Sequence, residues 1–490
     1  MRLVHMRVLL ALLALVTAGC GNEPRHLTTS SEKALQYYSE GVSLYANFYF
    51  AEAGEAFERA LKEDSTFAMA WARSAMLSFS SENEGEAKKK IEMASHLAGR
   101  ASERERLFIR MWYLLIHYDR TGAMAVADSL IERYPDETEA YVLKGRLLEY
   151  TKNLDRAIQV YQRAIQIDSS YAPAVMSLGY AYSTAGEQEK AIVQMQRYIR
   201  LVPDAADPRA SYADLLFRAG EYAEALAQYQ KSLEIKPDYW YAHTQIGRIY
   251  LVFGRLTEAR EELIEGLEVM PKGPSREASI LAVDANINVM RGEYRAAVEQ
   301  FQQAFGKDSM NFSAAYGVVS ALSKLGEFEE ANKTVDRIGL ELERRNLSTS
   351  IAMLGFYLMR AQVLTEEDKL DQAREMCDNA LAFSTPLTRT AVFRQLAEIE
   401  MKERSYDAAF MACDEALRLN PNNPHVLFIL TELYKATNDV RMTQEIGSRL
   451  LTLWQNADPD FQKLIELRQI LRRKASASFT RPRAIHPGKS

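Results

Sequence analysis

The chain has 490 residues, of which 47% are hydrophobic, and a formal net charge of −6. A chain of this length and apolar content can bury a large core. The acidic balance disfavours a nucleic-acid-binding protein, because that class usually carries a basic surplus. Three cysteines are too few for a fold held together by disulfides.

The first segment of the chain has the layout of a secretion signal. Arg2 and Arg7 make the start positive, and an unbroken apolar run from Val8 to Val16 follows them. This run is too short to span a bilayer, which takes roughly 20 residues as a helix. We therefore predict a signal peptide at residues 1–19. An ordinary signal peptide followed by an incidental cysteine is the alternative to the lipidation site described next.

The signal segment ends in TAGC, residues 17–20, which resembles the lipobox of bacterial lipoproteins. The resemblance implies that Cys20 is lipidated once the signal is cut away, and that residues 20–33 form a lipidated tether. Thr17 departs from this pattern, since leucine is commoner there. Gly21 stands where an aspartate would resemble an inner-membrane retention signal. The implied location is the cell envelope, in the outer membrane facing the periplasm.

Residues 34–457 repeat with a period close to 34 residues. An alanine column marks the units, a second and mostly bulky column follows four residues later, and glycine and proline recur between and after the two halves of many units. The alanine column is Ala53, Ala87, Ala123, Ala157, Ala191, Ala225, Ala259, Ala297, Ala331, Ala373 and Ala409. Such a period indicates a repeat architecture.

Each unit is predicted to form two helices. Apolar residues recur at helical spacing on both sides of Gly186, which allows the positive φ that ends a helix. Pro203 cannot continue the second helix. The small Gly179 and Ala191 lie where the two helices must approach closely, beside the larger Met195. Stacked hairpins bury a continuous core that one hairpin cannot bury alone.

This pattern resembles the tetratricopeptide repeat (TPR) family. The resemblance implies an all-α fold, a right-handed α-solenoid superhelix of about twelve helical hairpins. The predicted units start at residues 34, 68, 104, 138, 172, 206, 240, 278, 312, 354, 390 and 424. Extra residues at 274–277 and 346–353 predict a longer helix or loop.

After the last repeat, the chain is predicted to form a helix followed by a disordered tail. Asp458 can cap a helix whose first residue is Pro459, so residues 458–474 are predicted to form a capping helix over the last repeat. Residues 475–490 combine basic residues with Pro, Ser and Gly and lack periodicity, which indicates a disordered basic tail.

Motifs for catalysis or metal binding are not found in the sequence. It contains no phosphate-binding glycine loop and no nucleophile elbow. None of the seven histidines pairs with another at the spacing of metal ligands. We therefore expect no enzymatic activity, no cofactor, no metal and no small-molecule substrate.

In the TPR family the first helix of each unit lines a concave face that binds partners. Carried over to this sequence, the candidate partner groove consists of Arg146, Tyr180, Asp214, Phe217, Tyr241, Arg248 and Asn286. A candidate apolar groove in the first three units consists of Tyr38, Tyr45, Phe79, Phe108 and Trp112. Aromatic residues together with arginine are typical of interface anchors. The alternative is that the aromatic residues near the start pack against the tether or neighbouring helices.

These features favour a membrane-anchored scaffold or adaptor for a cell-envelope assembly, such as pilus assembly, outer-membrane protein insertion, polysaccharide export or wall remodelling. Its partners would be proteins, with no nucleic acid among them. A regulatory or sensing module of a signalling pathway, cytosolic or tethered to the inner membrane, is the alternative.

Two further cysteines, Cys377 and Cys413, occupy the same column of adjacent units. Stacked helices lie ~8–10 Å apart, and a disulfide needs its two Cα atoms within roughly 7 Å. Both are therefore predicted to be buried free thiols.

Overall fold

The computed structural model describes residues 27–47, 49–80, 84–151, 153–269, 273–307, 312–344, 352–385, 388–418 and 420–472. The predicted signal peptide, Cys20 and the basic tail lie outside the described residues. Within these ranges the regular elements are helices and none is a strand, which confirms the all-α prediction. The architecture is an α-solenoid of helical hairpins.

Twelve helix pairs follow one another through the described ranges. The first six are α1 Glu32–Ala46 and α2 Phe50–Glu63, α3 Ala68–Ser80 and α4 Glu84–Leu97, α5 Glu103–Ile116 and α6 Arg120–Arg133, α7 Thr138–Tyr150 and α8 Leu154–Ile167, α9 Ala172–Thr184 and α10 Gln188–Leu201, and α11 Ala206–Ala219 and α12 Tyr222–Ile235. A short 3-10 turn, Ala98–Arg100, precedes α5.

The last six pairs are α13 Trp240–Val252 and α14 Leu256–Glu268, α15 Pro274–Arg291 and α16 Tyr294–Lys307, α17 Phe312–Leu325 and α18 Phe328–Arg344, α19 Ala352–Glu366 and α20 Leu370–Ala382, α21 Arg389–Glu403 and α22 Tyr406–Leu417, and α23 Pro424–Ala436 and α24 Val440–Leu453. A final helix, α25 Gln462–Arg472, follows them. The first helices begin at or near the predicted unit starts. The exception is α15, which absorbs the extra residues 274–277 and confirms a longer helix there.

The chain forms two compact units. Unit 1 comprises Met1–Leu215 and Lys231–Pro237, and unit 2 comprises Leu216–Gln230 and Asp238–Ser490. In both units the core consists of the inward faces of the paired helices, which bury the predicted alanine column. No described helix has the length and apolar character needed to cross a membrane.

Small residues in the first helices let the second helices pack closely. A Cβ atom at Gly179 of α9 would lie 2.9 Å from Met195 Cε of α10, and one at Gly145 of α7 would collide with the ring of Tyr161 of α8. Met195 and Tyr161 are fully buried. The predicted pairing of a small residue with a bulky one is therefore confirmed in these hairpins.

The predicted turn glycine is also confirmed. Gly186, between α9 and α10, has a φ of 81°, in the left-handed region that favours glycine. Its amide donates to Ser183 O at 3.1 Å, which satisfies a carbonyl of the last helical turn.

Enlarging the alanine column is expected to destabilise the fold. Ala191 is fully buried where α9 and α10 pack, so Ala191→Leu should cost about 1–3 kcal/mol by overpacking. Val193 is 55% exposed on the same helix, so Val193→Leu should change stability by less than about 0.5 kcal/mol. Urea denaturation measures both variants. Equal effects at the two positions would contradict the repeat register.

The predicted N-cap at Asp458 is wrong, because α25 begins four residues later at Gln462. Instead, the Asp458 carboxylate accepts hydrogen bonds from the amide and the hydroxyl of Thr257, at 3.0 and 2.8 Å. The Asp458 amide donates to Gly254 O at 2.9 Å. In addition, Trp454 Nε1 donates to Val252 O at 3.0 Å. These bonds within unit 2 attach the segment before α25 to the α13–α14 turn, so Asp458 has a tertiary role in place of the predicted local one.

Candidate functional site

The seven residues of the predicted partner groove all lie on first helices of their pairs, but they are divided between the two units. Unit 1 holds Arg146, Tyr180 and Asp214, and unit 2 holds Phe217, Tyr241, Arg248 and Asn286.

Phe217 and Arg248 come into contact in unit 2. The guanidinium carbon of Arg248 lies 5.2 Å from the centroid of the Phe217 ring, a cation–π arrangement. Arg248 Nη1 also donates to Gln245 Oε1 at 2.8 Å. Both side chains of the stack are half-buried, so each keeps part of its surface in solvent. An arginine held over an aromatic ring and still accessible is typical of an interface anchor.

The other two unit 2 residues have different environments. Tyr241 is buried and packs against Tyr239 and Trp240, with ring centroids 6.3 and 5.8 Å away, so it belongs to the core. Asn286 is exposed, and its Nδ2 donates to Ala282 O of its own helix at 2.7 Å.

In unit 1, Tyr180 and Asp214 form a hydrogen bond. The Tyr180 hydroxyl donates to Asp214 Oδ2 at 3.0 Å, and links α9 to α11. Tyr180 is half-buried, whereas Asp214 is buried. This bond therefore fixes the Tyr180 ring at the surface of unit 1.

Arg146 is not a surface residue. Its side chain is 3% exposed, and its Nη1 has no hydrogen-bond partner within the described chain. Burial lowers the pKa of Arg146, although the nearby Tyr161 and Glu149 act in the opposite direction. Burial also raises the pKa of Glu149 to about 7. Because a reversed charge here would face Glu149, Arg146→Glu should destabilise unit 1, and Arg146 is unsuitable for testing partner binding.

Four of the five residues of the predicted apolar groove are buried among helices of unit 1: Tyr38, Tyr45, Phe108 and Trp112. The ring of Tyr38, for example, lies 5.0 Å from that of Phe67. The fifth, Phe79, is half-buried, with its ring 5.9 Å from that of the exposed Tyr118. In this structure the buried aromatics have the packing role that the alternative describes.

The described part of the predicted tether is held against unit 1. The Thr28 amide donates to Glu105 Oε1 of α5 at 2.9 Å. The Thr29 hydroxyl donates to Asp64 Oδ2, after α2, at 2.6 Å. Residues 28 and 29 are therefore fixed to the first three hairpins.

Sequence reasoning missed a buried ion pair between α3 and α7. Arg73 Nη2 donates to both carboxylate oxygens of Glu139, at 3.1 and 3.2 Å. Arg73 Nε donates to the Tyr38 hydroxyl at 3.1 Å. Both side chains of the pair are 6% exposed. Glu139 stands at the second position of its unit, which points inward in the family. A charged residue at an inward position was the sequence signal that could have predicted a buried ion pair.

The two cysteines of the described chain are free and buried, as predicted. Burial raises the pKa of the Cys377 and Cys413 thiols to about 12 each. Below that range the nucleophilic thiolate is scarce, and the sulfur atoms are inaccessible.

Both thiols are therefore expected to resist alkylation at pH 8 while the protein is folded. In a Cys20→Ser variant, which leaves only these two, mass spectrometry should find no label in native protein and two labels after denaturation without reductant. Denatured, unreduced protein that takes up no label would contradict the column assignment.

Comparisons with known proteins support the repeat assignment. Residues 119–172 and 216–282 match tetratricopeptide repeat models. These two stretches therefore carry tetratricopeptide repeats, a repeat class that serves as a scaffold for protein–protein interaction. No curated protein matches the chain.

Several solved structures also match this chain. MamA is 25% identical, with a TM-score of 0.28, and the match covers 32% of this chain and 92% of MamA. TTC0263, a thermophilic TPR protein of Thermus thermophilus, is 22% identical, with a TM-score of 0.29 and coverage of 44% and 99%. The human IFIT1 dimer with m7Gppp-AAAA is 14% identical, with a TM-score of 0.41 and coverage of 93% and 94%.

Proposed function

We propose that the chain is a membrane-anchored adaptor lipoprotein of the cell envelope that binds a protein partner through unit 2. The observation that carries the proposal is the half-buried stack of Arg248 on Phe217. It lies on the first helices α11 and α13, the helices that present partner-binding residues in the repeat family. The structure thus offers an accessible arginine–aromatic pair on a scaffold built for protein contact.

The stack has the chemistry of a binding anchor. A guanidinium carries five N–H donors in a fixed fork, and the bond to Gln245 uses one of them. The ring below Arg248 limits its rotamers, so less entropy is lost when a partner carboxylate or carbonyl accepts from it. We infer a peptide segment with an acidic side chain next to an apolar one, because such a segment can contact the guanidinium and the ring together.

The resemblance of residues 17–20 to a lipobox supports the membrane anchor, and the contacts of Thr28 limit how far the anchor can lie from unit 1. Cys20 is eight residues before Thr28, which is fixed to α5. At ~3.3–3.6 Å for each extended residue, a lipid on Cys20 would lie within about 30 Å of that contact. Lipidation would therefore hold unit 1 close to the membrane.

Reversing the charge of Arg248 tests the partner site. With the partner captured by crosslinking in intact cells and identified by mass spectrometry, Arg248→Glu should reduce capture more than about tenfold, the effect of losing a hot-spot residue. Circular dichroism should be unchanged, because Arg248 is half-buried at the surface.

A matched control exists in the same unit. Arg337 lies 4.6 Å from the Phe305 ring centroid, but it is exposed on the second helix α18. Arg337→Glu should leave capture unchanged. Equal capture by Arg248→Glu and the unmodified protein, or equal loss in both variants, would contradict the proposed site.

A further inference from the structure

We propose that His243, Glu262 and Glu265 form a binding site for a divalent transition-metal cation in unit 2. His243 Nδ1 lies 2.8 Å from Glu262 Oε2 and 3.9 Å from Glu265 Oε2. One ligand atom from each of the three residues lies within 4.8 Å of the other two.

Local structure brings these side chains together on two rigid helices. Glu262 and Glu265 are three residues apart on α14, and so share one helical face. His243 is in the first turn of α13, which packs antiparallel against α14. Next to Glu265, a Cβ atom on Gly266 would lie 2.9 Å from Trp240 O and 3.2 Å from His243 Cβ. Glycine at 266 therefore permits the close helix approach on which the cluster depends.

The spacing of the donor atoms suits a small cation. Around Zn²⁺ the nitrogen and oxygen ligands lie at ~2.0–2.2 Å, so two ligand atoms at a tetrahedral angle are ~3.4 Å apart. The observed 2.8 and 3.9 Å lie on either side of that value. Small side-chain rotations would therefore convert the cluster into a coordination sphere without moving either helix.

The charges of the cluster also favour a cation. Two other acids near this cluster pair with arginines: Glu258 of α14 with Arg255, which caps that helix, and Asp284 of α15 with Arg260 of α14. In the described ion pairs, Glu262 and Glu265 have His243 as their partner. Even a charged imidazole would set one positive charge against two adjacent carboxylates, whereas a divalent cation would balance both.

The ligand types and their exposure define which cation fits. One imidazole with two carboxylates suits Zn²⁺ and similar transition metals, whereas Mg²⁺ and Ca²⁺ prefer oxygen ligands alone. His243 is buried, while the side chains of Glu262 and Glu265 are 25% and 64% exposed. The site thus opens toward solvent on the Glu265 side, where water can complete the coordination.

The test is a calorimetric titration of Zn²⁺ into chelator-treated, untagged mature protein. One equivalent should bind, and Glu262→Gln and Glu265→Gln should each weaken that equivalent by at least about tenfold. Glu265 is exposed, so its variant should fold even if the Glu262 variant does not. Glu261→Gln, an exposed neighbour on α14, is the matched control and should bind as the unmodified protein does.

A second readout separates a site from adventitious binding. Zn²⁺ should raise the thermal midpoint of the unmodified protein and of Glu261→Gln, but not that of Glu265→Gln. The proposal is overturned if no stoichiometric Zn²⁺ binds, or if Glu265→Gln binds Zn²⁺ as tightly as Glu261→Gln. In either case the cluster is a histidine–carboxylate hydrogen bond only. The partner-site test is independent of this result.

Discussion

Replacing Glu139 by alanine is expected to destabilise unit 1 by about 3–5 kcal/mol, because it leaves the buried guanidinium of Arg73 without its carboxylate. Burial alone would lower the pKa of Arg73, but Glu139 and Tyr38 raise it above its ordinary value. The arginine is therefore charged in the folded protein at any working pH. Urea denaturation, together with hydrogen exchange of α3 and α7, measures the loss.

Two further variants test whether the loss of stability in Glu139→Ala comes from the unpaired buried charge. The double variant Arg73→Met, Glu139→Leu removes both charges and should recover most of the stability, since a buried ion pair adds little over apolar packing. Glu40→Ala breaks the half-exposed pair between Glu40 and Arg59 and should cost less than about 1 kcal/mol. If Glu139→Ala is no worse than Glu40→Ala, the pair is not buried as described.

Replacing Cys20 by serine is expected to abolish both lipid labelling and membrane association. Each buried CH₂ of an acyl chain contributes ~0.8 kcal/mol of membrane affinity, and the variant would lack that chain. Radiolabelled palmitate followed by fractionation of the cells measures both properties. Cys377→Ser should keep the label, because that thiol is buried in the repeat core.

The same experiment can contradict the anchor. Unmodified protein that takes up no palmitate and fractionates with the cytosol would exclude lipidation at Cys20. That outcome would favour the regulatory or sensing module of a signalling pathway.

The helix pairs were predictable because the residues that form each turn and each close helix contact recur in unit after unit. Gly186 supplies the turn, and Gly179 and Ala191 supply the close approach beside Met195. These interactions involve residues close together in the chain, so the repeat period predicts the start of most first helices to within a few residues. The early start of α15 at Pro274 follows from inserted residues that are themselves visible in the sequence.

The contents of the site were less predictable, because they depend on residues far apart in the chain. The position of a residue in the repeat predicts which face of the helix it occupies, but not how much of that face neighbouring hairpins bury. Arg146 and Tyr241 are therefore buried, whereas Arg248 is accessible. The sequence around Asp458 predicts a local cap, whereas its actual partner Thr257 lies about 200 residues away. His243 has no second histidine at metal-ligand spacing in the sequence, and its approach to two carboxylates of the next helix is visible only in the fold.

The most direct test of the adaptor function is photo-crosslinking in intact cells from a photoreactive phenylalanine placed at Phe217. This substitution keeps an aromatic ring beside Arg248. The adaptor function predicts a discrete protein adduct that is lost when Arg248→Glu is added. The adduct should be absent when the same group replaces Met411, which is 71% exposed on the second helix α22. No protein adduct at position 217, or the same adducts from position 411, would contradict it.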